Sequence, residues 1–82
     1  MSRFASSHVF RSHRFSLGRD MVAGGHYISL PVSGINRAAE YEAYFSITDD
    51  EFRLFSTDPD AALELVSSLI TSPDDPRRIR AF

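Results

Sequence analysis

The stretch FSITDDEFRLFSTDPDAALELV, Phe45 to Val66, carries two clusters of acidic residues. Whether they form a charged site or mark two helix starts decides the fold. Thr48-Asp49-Asp50-Glu51 has the spacing of a capping box: the Thr48 hydroxyl accepts from the backbone three residues on, and Glu51 reaches back to the Thr48 N–H. Asp49 and Asp50 then fall in the first turn, where negative charge complements the helix dipole. A short helix is expected over Asp49–Ser56, with Phe52 and Phe55 on one face. Asp58-Pro59 repeats the signal, with Asp58 as N-cap and Pro59 at the first helical position, where its missing N–H is no loss. The second helix is expected over Pro59–Thr71. Ala62, Leu65, Val66, Leu69 and Ile70 make its apolar stripe, and Ser72-Pro73 stops it. Most of these carboxylates therefore have an architectural role before any chemistry is assigned to them.

Upstream, residues 39–47 (AEYEAYFSI) alternate, with Tyr41, Ala43, Phe45 and Ile47 on one face and Glu40, Glu42, Tyr44 and Ser46 on the other. Ala and Glu would also suit a helix through INRAAEYEAYF, but the period of two favours a strand. SGINR, Ser33 to Arg37, reads as a turn around Gly34. Residues 26–32 (HYISLPV) form a second strand, with His26, Ile28, Leu30 and Val32 opposite Tyr27, Ser29 and Pro31; Pro31 places that position at an open edge or at the end of pairing. GRDMVAGG reads as a loop marked by Gly18, Gly24 and Gly25. Residues 7–17 (SHVFRSHRFSL) alternate without a clean apolar face, the pattern of an edge strand or a bulged one.

Together these predict one α+β domain over residues 1–82: a small antiparallel three-stranded sheet with two C-terminal helices on one face. Residues 72–82 form an extended tail or, over 77–82, a short edge strand, with Ile79 and Phe82 able to dock. The expected core joins Ile28, Leu30, Val32, Tyr41, Ala43, Phe45 and Ile47 to Phe52, Phe55, Leu65, Val66, Leu69 and Ile70. The far sheet face should show Tyr27, Glu42, Tyr44, Phe10 and Arg14.

Composition narrows the classes of function. A chain of 82 residues buries about 60–70% of the surface its unfolded form exposes, so a dimer or a tight partner would add needed margin. There is no cysteine, which excludes disulfides and thiolate metal sites. No apolar run reaches membrane-spanning length. The N-terminal MSRFASSHVFRSHRF lacks the apolar core of a secretory signal. Its Arg and Ser content is that of an organellar targeting segment, but it runs straight into strand pattern, and a folded cytoplasmic start is expected. Net charge is −2, and every basic residue is Arg. Residues 1–37 carry five Arg and one Asp, whereas residues 38–75 carry ten acids and one Arg.

Candidate chemistry is sparse. His8, His13 and His26 show no metal-ligand spacing, so neither metal nor cofactor is expected. His13 between Arg11 and Arg14, with Ser12 and Ser16 nearby and Glu42 across the sheet, would supply an acid–base group and phosphate-stabilising cations to a small nuclease. Arg3, Arg11, Arg14, Arg19 and Arg37, interleaved with Phe4, Phe10, Phe15 and Tyr27, would suit stacked single-stranded bases, but the acidic second half repels a polyanion. VAGGHY lacks the following helix that a phosphate cradle needs.

The run EYEAYFSITDDEFRLFSTDPDAALELV, about a third of the chain, resembles small bacterial proteins of toxin–immunity loci, in which an extended YxxYF-I segment leads into a T/S-x-x-E-F helix and a DP-xA-A helix. The resemblance implies a non-enzymatic immunity protein, antitoxin or inhibitor that binds and blocks a partner protein, either a toxin or a host-defence component. Glu42, Asp49 and Asp50 would then imitate nucleic-acid charge at a nuclease toxin's site. With the aromatic and Arg residues favoured at interfaces, the expected partner-binding set is Tyr27, Glu42, Tyr44, Asp49, Asp50 and Arg14. The alternative is an RNA-interacting or nuclease module built on the Arg/His-rich N-terminal half.

Overall fold

The computed structural model describes residues 4–33, 40–72 and 75–79. Strands β1 (Phe4–Phe10), β2 (Phe15–Asp20), β3 (His26–Ser33) and β4 (Glu40–Ile47) precede helix α1 (Asp49–Thr57), a 3-10 helix (Pro59–Ala62) and helix α2 (Leu63–Thr71). The strands form one antiparallel meander in the order β1-β2-β3-β4. The expected turn at residues 33–37 and the docking of Phe82 lie largely or wholly outside the described residues.

The sheet therefore has four strands, not three. Residues 7–17 are not one strand, because the chain reverses at Arg11–Arg14 and brings Phe10 opposite Phe15. The His13 N–H donates to the Phe10 carbonyl at 3.1 Å, and the Arg14 N–H to the Arg11 carbonyl at 3.2 Å. Arg14 closes the turn in the left-handed region, at φ 61°. That conformation usually selects Gly, Asn or Asp, and RSHR contains none of them, so the turn leaves no compositional mark. Arg14 accordingly sits at a hairpin tip and not on the sheet's far face.

The strand after this turn runs on through Gly18, Arg19 and Asp20, residues whose composition suggested a loop. A Cβ at Gly18 would collide with the Ala5 carbonyl and stand 2.7 Å from the Tyr27 hydroxyl. The glycine is there because β1 and the Tyr27 ring close over it. Between Ser6 and His8 the β1 register slips by one residue. This bulge puts Phe4 and Ser6 on the far face of the sheet, paired toward Asp20 and Gly18. His8 and Phe10 turn toward the helices, paired with Leu17 and Phe15. Phe10 thus packs against the main core, not on the far face where alternation alone places it.

The main core lies between the sheet and the helices. Phe15 and Leu17 join Ile28, Leu30, Val32, Ala43, Phe45 and Ile47 from the sheet, and Phe55, Ala62, Val66 and Leu69 from the helical layer. Phe52 and Leu65 pack at its margin. Two expected members are displaced: Tyr41 is 42% exposed and Ile70 is 51% exposed. Leu69 is fully buried, so Leu69→Ala is expected to cost about 2–5 kcal/mol. Ile70→Ala should change stability by about 0.5 kcal/mol or less. Urea unfolding of the two variants reads the contrast, and equal losses would place the helix in the wrong rotation.

The Thr48 capping box forms as expected: the Glu51 N–H donates to the Thr48 hydroxyl at 3.1 Å and the Thr48 N–H to Glu51 at 2.8 Å. Asp49 and Asp50 lie in the first turn. Asp58 differs. It stands before the 3-10 helix but makes no side-chain cap, while its own N–H closes α1 on the Leu54 carbonyl. Pro59 does lead the second helical segment, which winds as a 3-10 helix before turning α-helical at Leu63.

The outer edge of β4 is not bare. The Ser46 N–H donates to the Arg77 carbonyl at 2.9 Å and the Ile79 N–H to the Tyr44 carbonyl at 2.8 Å. Arg78 bridges Phe45 in antiparallel sense, the short edge pairing foreseen for the tail.

Candidate docking surface

The far face of the sheet was expected to offer Tyr27, Glu42 and Tyr44 to a partner. It carries instead a small second core. The Tyr27 ring crosses Gly18, and its hydroxyl lies 2.9 Å from the Ser6 hydroxyl. Phe4 meets the Tyr27 ring edge-on at 5.0 Å and stacks on Tyr44 at 4.0 Å. Tyr27 is left with no exposed surface. Tyr44 is half-buried. Burial, then the neighbouring Glu42 charge and Tyr27, push the Tyr44 hydroxyl above its ordinary range, so it stays neutral through physiological pH. Glu42 alone of these three is freely exposed. A partner surface centred on the tyrosines is therefore closed by Phe4.

A different feature projects at one end of the sheet. The β2–β3 connection is pinned by Asp20, which is 2% exposed. Its carboxylate accepts from the Val22 N–H at 3.0 Å and the Ala23 N–H at 3.1 Å. Its backbone accepts from Gly24 at 2.8 Å and donates to Gly25 at 2.8 Å. Gly24 completes the reversal at φ 82°, a region closed to most side chains. This frame holds Met21 and Val22 outward, 56% and 72% exposed. Pinning a loop in this way removes ordering entropy that docking would otherwise cost.

The same end of the sheet carries the start of α1. His26, where β3 begins, pairs with Arg19 and with Ile47 across the sheet. Its Nδ1 lies 2.9 Å from Asp49, and its ring stacks on Phe52 at 4.0 Å. Asp49 and Asp50, both exposed, thus lie at the same end of the sheet as the apolar tip. Of the residues expected to bind a partner, these two are brought together. Glu42 and Tyr44 lie on the far face, Tyr27 is buried there, and Arg14 sits at the β1–β2 turn. Composition alone did not single out Met21 and Val22. The signal was present: Asp20 followed by Met, Val and Ala and then Gly-Gly is an Asx-turn pattern with nothing for Met21 and Val22 to bury against.

The histidines serve as ties between layers. His13 Nε2 lies 2.6 Å from Asp60 in the 3-10 helix, and its Nδ1 lies 3.2 Å from the Ser12 hydroxyl. Both ring nitrogens thus have polar partners at the surface. Among the described residues no group of three or more His, Asp or Glu is placed to hold a metal ion. A shallow groove of about 340 Å³ lies beside Ala61, Glu64, Leu65 and Ser68. No described helix is long and apolar enough to cross a membrane.

Glu51 has a second duty besides capping. Arg77 donates to its two oxygens at 2.8 and 3.0 Å, a two-bond fork of high geometric specificity. Burial disfavours the charged Glu51. The hydrogen bond from Arg77, the Thr48 N–H, the Arg77 charge and the Thr48 hydroxyl together outweigh it, and the carboxyl sits below its ordinary range. The Arg77 guanidinium is held above its own range, chiefly by the Glu51 hydrogen bond and against burial. A depressed folded pKa contributes stability that is whole above the unfolded value, about 4.3, and is lost as pH falls through the folded value. Glu51→Gln is expected to cost about 1–2 kcal/mol at neutral pH. The gap to wild type should close as pH drops below about 4, which melting curves at pH 7 and pH 3 will read.

Comparison of the chain with protein-family models, with curated proteins and with solved structures finds no match.

Proposed function

We propose that this chain is a non-enzymatic protein-binding domain that blocks a partner protein, in the manner of an immunity protein or other inhibitor. The observation that carries this reading is the Met21–Val22 tip, an apolar pair held in solvent by a buried Asp20 frame. A rigid, exposed apolar anchor is what a partner's pocket takes up at the centre of an interface. Asp49 and Asp50 at the same end of the sheet favour a partner with a basic rim, where complementary charge speeds association and excludes wrong partners. The short chain and its modest core agree with a domain that gains stability when bound.

The test is a photo-crosslinking side chain at Val22, expressed in the cell of origin. One discrete protein adduct is expected. Asp49→Ala with Asp50→Ala should lower its yield while leaving the melting curve within about 1 kcal/mol of wild type. An RNA adduct at the Arg11–Arg14 turn, dissociated by moderate salt, with no protein adduct at Val22, would favour the nuclease or RNA-binding alternative.

A further inference from the structure

The two edges of this sheet are treated differently. The β4 edge, on a strand bearing Glu40 and Glu42, is covered by a short turn segment bearing Arg77 and Arg78. The β1 edge carries no strand or bridge from any other described residue, and Ala5, Ser6, Ser7 and Val9 are exposed along it. It has neither Lys nor Pro, two of the devices that usually guard an open edge. Residues 1–19 hold four Arg and no acid. Arg19 stands beside Ala5 in the ladder, Arg11 follows β1 directly, and both are exposed. From these features we infer that β1 is a strand-addition site for a short, acidic, extended segment of a partner protein.

The chain contains its own precedent for edge cover: the Arg77–Ile79 segment makes main-chain hydrogen bonds to the β4 edge, and no described segment does so at β1. Main-chain bonds give such docking its affinity, and flanking charge gives it preference. The site is separate from the Met21–Val22 tip and stands on different residues. A second copy of this chain is the poorer occupant. Antiparallel β1–β1 pairing over Phe4–Phe10 would centre on Ser7 and oppose bulge to bulge, and it would bring basic flanks together. The bulge divides β1 into two short runs, enough for a brief docking strand and unfavourable for open-ended stacking. A single-stranded nucleic acid would answer the Arg residues but leave the edge amides and carbonyls unused.

The test is a titration of the isotope-labelled full chain with the peptide acetyl-TEVEVET-amide, followed through backbone amide shifts. The comparison peptide is acetyl-TKVKVKT-amide. The acidic peptide is expected to move the amides of β1, with millimolar or tighter affinity, and to bind about tenfold more tightly than the lysine peptide at low salt. Arg11→Glu with Arg19→Glu should reverse that preference without altering the unfolding curve by more than a small shift. Three results would overturn the inference: no shift in β1, equal affinity for the two peptides, or shifts confined to the Met21–Val22 tip. A concentration-dependent dimer that covers the β1 amides would replace it with self-association. Tighter binding of oligothymidine to the same amides would replace it with nucleic-acid binding.

Discussion

Gly18→Ala is expected to destabilise the domain by about 3 kcal/mol, an effect out of proportion to one methyl group. The added carbon meets the backbone carbonyl of Ala5 and the hydroxyl of Tyr27. The Tyr27 hydroxyl cannot retreat freely, because it bonds Ser6 at 2.9 Å and the ring is capped by Phe4 at 5.0 Å. The Ala5 carbonyl belongs to β1, so relief requires the edge strand to move away from β2. Hydrogen exchange should then show the β1 amides losing protection first, ahead of β3 and β4. Tyr27 fluorescence should report a ring newly open to water. An alanine variant that unfolds at the wild-type urea concentration would mean that β1 and the Tyr27 ring are not closed over this position.

Phe45→Ala is expected to cost about 3–5 kcal/mol, against a total that for domains in general is about 5–15 kcal/mol. Phe45 has no exposed surface. It is flanked in the ladder by Ile28, and Arg78 lies over its ring at 5.8 Å. The cavity would therefore open under the sheet, the helices and the covering tail together. In a chain of this size such a loss should leave a large unfolded fraction at room temperature. Collapse of amide dispersion is the expected readout. A well-dispersed spectrum with wild-type stability would remove Phe45 from the core.

The helical half was legible because its signals are local. Thr48 and Glu51 are three residues apart, and their capping box forms as spacing requires. The start of the second helical segment was found from Pro59, although Asp58 itself makes no side-chain cap. In the sheet, alternation worked where strands are regular, in β3 and β4. It failed in the first 20 residues for three physical reasons. An Arg takes the left-handed position of the hairpin, a bulge flips the faces of β1, and a glycine is present to admit Tyr27 and not to make a turn. Period two placed Tyr27 on the far face, yet no local pattern shows that Phe4, 23 positions earlier in the chain, covers it. The pairing of Glu51 with Arg77 spans 26 residues and leaves no spacing signature. The candidate surface was half legible: Asp49 and Asp50 stand in the first turn of α1 as the capping box requires, while the Met21–Val22 tip was not singled out although its Asx-turn pattern was there to read.

The segment Arg77–Ile79 is synthesised after every element whose margin it closes. Until it docks, the strands and helices can gather, but the flank of β4 remains an open template for a neighbouring chain. Docking of these few residues, fastened by the Arg77–Glu51 fork, is therefore what shuts that template.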